Sequence, residues 1–191
     1  MTGVADENDR CIFGAAPGEL SGTLGLWVEE TDAMFPDEHN SILVNVNNLP
    51  LREKYTSGFL CDVIRPTTAK TLAVYGEDFY KGVPCVTVNE LGSGKAYYLG
   101  CEPDDAFLSD FVGCICKEQG LEPLFETHGE IELSTRTGKD GDVTFIINHS
   151  VDTGWVNLGT QNYKNLLKEE VLSGNCKIRG RDVLVIRKQC E

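Results

Sequence analysis

The chain has 191 residues, 41% hydrophobic and 25% charged, with a formal net charge of −13 at pH 7. That length can bury about 70% of its unfolded surface, in one domain or two small ones. The acidic balance argues against an electrostatic grip on nucleic acid or anionic lipid, so neither is expected as a partner.

The polar, acidic start MTGVADENDR does not read as a signal or transit peptide, and no apolar run reaches the roughly 18 residues of a membrane span. A cytoplasmic protein without a membrane partner is expected. Most of the eight cysteines (11, 61, 85, 101, 114, 116, 176 and 190) fall inside apolar strand or helix patterns, which predicts reduced thiols packed as small hydrophobes. There is no Cys-x-x-Cys pair, and Cys114 and Cys116 are too close for ordinary zinc spacing, so neither a metal nor a cofactor is expected.

In chain order, Pro17 to Leu24 predicts a short helix with proline at its start, weakened by Gly22. Leu26 to Glu30, Ser41 to Val46 and Gly58 to Ile64 read as strands, the last ended by Pro66. Thr71 to Tyr75, Val83 to Val88 and Lys95 to Gly100 are stronger strands, rich in Val, Tyr and Leu. Asp104 to Gln119 predicts a helix with Phe107, Leu108, Phe111, Val112 and Ile115 in one apolar stripe. Its start is acidic, Lys117 suits the last turn, and Gly120 can close it. Strands alternating with helices point to an α/β layered domain.

Leu121 to Gly129 reads as a junction, and the chain beyond it as short strands and turns. Ile131, Leu133 and Thr135 share one face. A Gly-Lys-Asp-Gly turn at 138 to 141 leads to Val143, Phe145 and Ile147, expected to face inward. Trp155 to Leu158, Cys176 to Ile178 and Asp182 to Ile186 are further strands, with Arg179-Gly180-Arg181 as a tight turn, and Tyr163 to Leu172 has the local propensity of an amphipathic helix. Together these predict a small antiparallel sandwich or half-barrel.

Several motifs imitate active sites. Gly92-Ser93-Gly94-Lys95 resembles a phosphate loop, but Asn89 and Ala96 stand where a P-loop needs Gly and Ser or Thr, and a strand follows, so a hairpin turn is expected. Asn89-Glu90 resembles the dipeptide that carries the acid/base in barrel glycosidases, yet it falls inside a hairpin of a chain shorter than a typical barrel. Cys101, between a strand and a helix, with His128-Gly129-Glu130 downstream, imitates an amidotransferase triad. Leu99 and Pro103 do not suit a nucleophile elbow. His39, Asn148 and His149 read as loop or turn residues, and Trp27 and Trp155 as core or interface anchors rather than sugar platforms.

Taken together, residues 4–34, 71–100, the long helix, DVTFIINHSVDTGWVNL at 142–158 and LLKEEVLSGNCKIRGRDVLVI at 166–186 resemble bacterial β-galactosidases of glycoside hydrolase family 42. The turn Gly92-x-Gly94-Lys95-Ala96-Tyr97-Tyr98 and the strand end Phe145-Ile-Ile-Asn-His-Ser150 are the most specific pieces. The resemblance implies an N-terminal barrel holding both catalytic carboxylates, an amidotransferase-like α/β trimerisation domain and a small antiparallel C-terminal domain. On it, residues 1–124 are expected to be part of the trimerisation domain, starting midway through it, and residues 125–191 the C-terminal domain. A homo-oligomer is expected, a trimer for the full-length enzyme, with the barrel on the same polypeptide. No catalytic residue is carried over, and the isolated chain is expected to be inactive. A stand-alone sugar-binding module using Trp27 or Trp155, and a cysteine hydrolase using Cys101 and His128, are the alternatives.

Overall fold

The computed structural model describes residues 3–12, 14, 16–46, 49–139 and 141–189. The chain divides into two compact units, Met1–Gly120 and Leu121–Glu191.

In the first unit the expected N-terminal helix is one 3₁₀ turn, Gly18–Leu20, running into one α turn, α1 (Ser21–Leu24). Gly25 ends it with a left-handed φ of 64°. Its carbonyl accepts from the backbone N–H groups of Thr67, Thr68 and Ala69. A Cβ at this position would meet the Asn89 side chain at 2.6 Å, so both backbone and space require glycine.

Seven strands follow: β1 (Leu26–Ala33), β2 (Asn40–Val44), β3 (Lys54–Pro66), β4 (Lys70–Tyr75), β5 (Pro84–Leu91), β6 (Gly94–Leu99) and β7 (Cys101–Pro103). They form one sheet in the order β1-β3-β2-β4-β5-β6, with β7 also on β3. Each of these pairings is antiparallel. The sequence reading expected strands alternating with helices. Here the strands follow one another directly, and among the described residues one helix longer than a turn, α2 (Asp105–Glu118), comes after them.

Strand β3 is longer than its pattern suggested because its halves pair differently. Lys54–Ser57 pairs with β2 and Leu60–Pro66 with β1. The switch falls at Phe59, whose φ is 51°, beside a register shift against β7. Asp104 starts α2 by accepting the Phe107 N–H at 2.8 Å on one carboxylate oxygen. Its other oxygen accepts the Thr56 N–H at 2.9 Å, which ties the helix start to β3.

Phe107 and Phe111 are buried, stacked on each other at 5.3 Å, and met edge-on by Tyr55 and Tyr97. Leu108 and Val112 do not join them. They are 40% and 53% exposed, because the face of α2 that packs into the core is that of Ala106, Phe107, Phe111, Cys114 and Ile115.

The second unit contains β8 (Glu126–His128), β9 (Ile131–Gly138), β10 (Gly141–Asn148), β11 (Gly154–Asn157), β12 (Tyr163–Asn165), β13 (Val171–Leu172), β14 (Asn175–Ile178) and β15 (Val183–Lys188). They form a five-stranded sheet, β13-β12-β15-β10-β9, and a three-stranded sheet, β14-β11-β8, both antiparallel. Ile146, Leu184 and Ile186 from the first sheet pack with Val156 and Ile178 from the second, giving the core of a small sandwich.

Three expectations for this region are corrected. The inward face of β10 is Thr144, Ile146 and Asn148, one residue out of phase with the predicted Val143, Phe145 and Ile147. Ile146 pairs with Leu133, so the two inward sets share a face. Tyr163 to Leu172 is not a helix but β12, a turn and β13. The buried Asn165 accepts the Leu167 N–H at 3.1 Å and donates to Glu170 at 2.9 Å, which favours a turn over continued helix. Glu126–His128 is not linker but a strand on β11.

Candidate functional site

Asn89 and Glu90 stand side by side on β5 and point to opposite faces, as successive strand residues must. Asn89 is 5% exposed, and its side-chain amide is bonded at both ends: it donates to the Thr23 carbonyl at 2.8 Å and accepts from Thr68 Oγ1 at 2.9 Å. The pair is therefore strand rather than turn, and its asparagine holds α1 and the β3–β4 connection onto the sheet.

Glu90 looks the other way, toward a cleft of about 720 Å³. Leu49, Leu72, Val88 and Tyr97 supply its apolar wall, and Cys114, Lys117 and Glu118 come from α2. Its rim carries two ion pairs, Lys70 with Glu90 at 2.8 Å and Lys95 with Glu118. Tyr97 Oη also donates to Glu118, at 3.2 Å. Two glutamates on one cleft invite comparison with a glycosidase pair, but each is tied to a lysine. The hydrogen bond from Lys70 holds the Glu90 carboxyl below the usual carboxylate range, and that from Lys95 does the same for Glu118. Retaining hydrolysis needs one carboxyl kept protonated by a raised pKa. Both acids here are paired with a lysine, and their carboxyls are shifted down rather than up.

The other candidates fall into structural settings. Gly92 and Ser93 form the two-residue turn between β5 and β6, with Gly92 at φ 61° and Leu91 opposite Gly94, while Lys95 is committed to Glu118. Cys101 begins β7, opposite Cys61 on β3. His128 belongs to the second unit, its ring stacked on Trp155 at 5.8 Å. His39 is an exposed loop residue, and His149 Nε2 lies 2.7 Å from Glu132 on the surface.

Asn148 is buried and donates to the carbonyls of Asp152, Ile178 and Arg179, pinning the turn after β10 to the end of β14. Trp27, expected as an anchor, is 37% exposed on β1. Among the described residues no group of three or more His, Cys, Asp or Glu side chains is placed to hold a metal ion. No helix described is long and apolar enough to cross a membrane.

Sequence reading missed the cleft itself. Lys70, Glu90, Lys95 and Glu118 come from three strands and a helix, and only the sheet register brings them together. The thiol pairing of Cys61 with Cys101 was hidden for the same reason.

Two family models match this chain: the β-galactosidase trimerisation domain over residues 1–122 and the β-galactosidase C-terminal domain over residues 130–188. The chain therefore belongs to the β-galactosidases of glycoside hydrolase family 42, within their trimerisation and C-terminal domains. It is 40% identical over 189 residues to the β-galactosidase BgaA of Planococcus sp. strain SOS Orange, covering 98% of this chain and 28% of that protein. The solved β-galactosidase from Bacillus circulans sp. alkalophilus superposes with a TM-score of 0.87 at 36% identity, over 98% of this chain and 28% of that one. The enzyme from Rahnella sp. R3 gives 0.82 at 33% identity, over 98% and 27%. The chain thus spans little more than a quarter of the relatives it matches.

Proposed function

We propose that this chain provides the assembly and C-terminal portions of a β-galactosidase that, in full, hydrolyses terminal β-D-galactosides with retention. In this reading a catalytic barrel on the same full-length polypeptide holds both catalytic carboxylates, and none of the present residues takes part in bond cleavage. The observation that carries it is the lysine pairing of Glu90 and Glu118, two acids on one cleft, in a chain whose family matches are both to domains other than the barrel.

The first unit's sheet and α2 are read as part of an amidotransferase-like α/β layered domain whose remaining strands and helices lie elsewhere on the enzyme. Residues 1–124 and 125–191 are the two domains, and the cytoplasm is the working compartment. The assembled form is a trimer, as the description of the matching domain suggests. Light scattering on the purified chain tests the assembly role. A mass of three chains is expected, and a monomer at every concentration would contradict it.

A further inference from the structure

We propose that Cys61 and Cys101 form a hydroperoxide-sensitive dithiol that closes to a disulfide between β3 and β7. The two residues are direct partners in the antiparallel ladder. At the next pair along, the Asp62 N–H donates to the Gly100 carbonyl at 2.6 Å. Hydrogen-bonded and non-hydrogen-bonded pairs alternate, so Cys61 and Cys101 occupy a non-hydrogen-bonded position. There opposing Cα atoms come to about 4.5 Å and the side chains share a face. A disulfide needs a Cα separation of about 4.4 to 6.8 Å, a range that a ladder pair of this kind falls within.

The two thiols differ in access, which assigns their roles. Cys101 is half-exposed and lines a cavity of about 300 Å³ with Leu60, Asp62, Gly100 and Glu102. Cys61 is fully buried, its sulfur 3.5 Å from Ser57 Oγ and 3.7 Å from the Met34 thioether. Burial pushes the Cys61 thiol up, so the first attack falls to Cys101. The Cys101 sulfur attacks hydrogen peroxide: an S–O bond forms, the O–O bond breaks, and the departing hydroxide leaves as water with the thiol proton. The Cys61 sulfur then attacks the resulting sulfenic sulfur. An S–S bond forms, the S–O bond breaks, and the hydroxyl leaves with the Cys61 proton as a second water. Two electrons pass from the thiols to the peroxide.

Cys85 is the competitor. Its buried thiol neighbours Cys101, and its carbonyl accepts the Gly100 N–H at 2.8 Å. However, β5 and β6 pair only as far as Val86 with Leu99, so Cys85 has no ladder position opposite Cys101.

The experiment treats the purified chain with stoichiometric hydrogen peroxide, blocks free thiols, and maps the unreduced digest by mass spectrometry. The expected product is a dithiothreitol-reversible peptide pair joining Cys61 to Cys101, two hydrogens lighter than its parts. Cys101→Ser abolishes it, and Cys61→Ser leaves Cys101 as a sulfenic acid captured by dimedone. Should the Cys61→Ser protein fail to fold, the wild-type map decides alone. A Cys85–Cys101 link, over-oxidised Cys101 beside a free Cys61, or a cross-link formed only in urea would each overturn the proposal.

Discussion

The buried amide of Asn89 donates to the Thr23 carbonyl at 2.8 Å, and this bond fastens α1 to a strand 66 residues further along the chain. The dipeptide that imitates a catalytic motif is thus half structural clamp. Asn89→Ala strands the Thr23 carbonyl and the Thr68 hydroxyl, and the expected loss is about 1 to 3 kcal/mol, read by urea denaturation. An unchanged midpoint would show that the clamp contributes nothing.

Asp104 serves two elements at once, capping α2 through Phe107 and holding Thr56 of β3. Asp104→Ala is expected to cost about 1 to 2 kcal/mol, and Asp104→Asn less, since one side-chain oxygen still caps the helix. Equal losses for the two variants would assign the effect to charge rather than to capping.

The phase of β10 can be tested directly. Ile146 is fully buried, so Ile146→Ala is expected to lose about 2 to 5 kcal/mol by transfer and cavity effects. Val143 is half-exposed, and Val143→Ala should cost clearly less. The reverse order in chemical denaturation would restore the face predicted from the sequence.

The Lys95–Glu118 pair gives a pH dependence with a defined sign. The Glu118 carboxyl titrates lower in the folded chain, through its hydrogen bond from Lys95. Its contribution is complete above the ordinary carboxylate value of about 4.3 and fades as pH falls through the lowered folded value. The Lys95 ammonium titrates higher when folded, through the same bond, so its contribution is present below about 10.4 and fades as pH rises through the raised value. Glu118→Gln should therefore lower stability near pH 7 and approach the parent once pH has fallen through the lowered folded value. The pair is partly solvated, so about 1 M salt should shrink the difference at neutral pH. A gap between variant and parent that persists at the acid end would contradict the assignment.

Local signals carried most of the strands and α2. Val, Tyr and Leu runs marked β4, β5 and β6, and Asp104 with Gly120 bracketed the helix. What failed was long-range. The stripe on α2 looked wider than it is because Leu108 and Val112 are apolar without being covered. The β10 face was recoverable in principle. The pairing of Gly138 with Gly141 already places Ile146 opposite Leu133, but the run from Val143 to Ile147 is apolar on both sides and hides the phase. Asn165 turned a helical pattern into two short strands by satisfying its own neighbours. The cleft was illegible because Glu90 and Glu118 are 28 residues apart and each looks like an ordinary surface charge until the lysines are placed.

Hydrolysis of a chromogenic β-galactoside by the purified 191-residue chain is the most direct measurement. With Glu90 and Glu118 each tied to a lysine and both matched domains distinct from the barrel, no cleavage above buffer is predicted at any chain concentration. Cleavage that scales with the chain, survives repurification and disappears in Glu90→Gln or Glu118→Gln would contradict it.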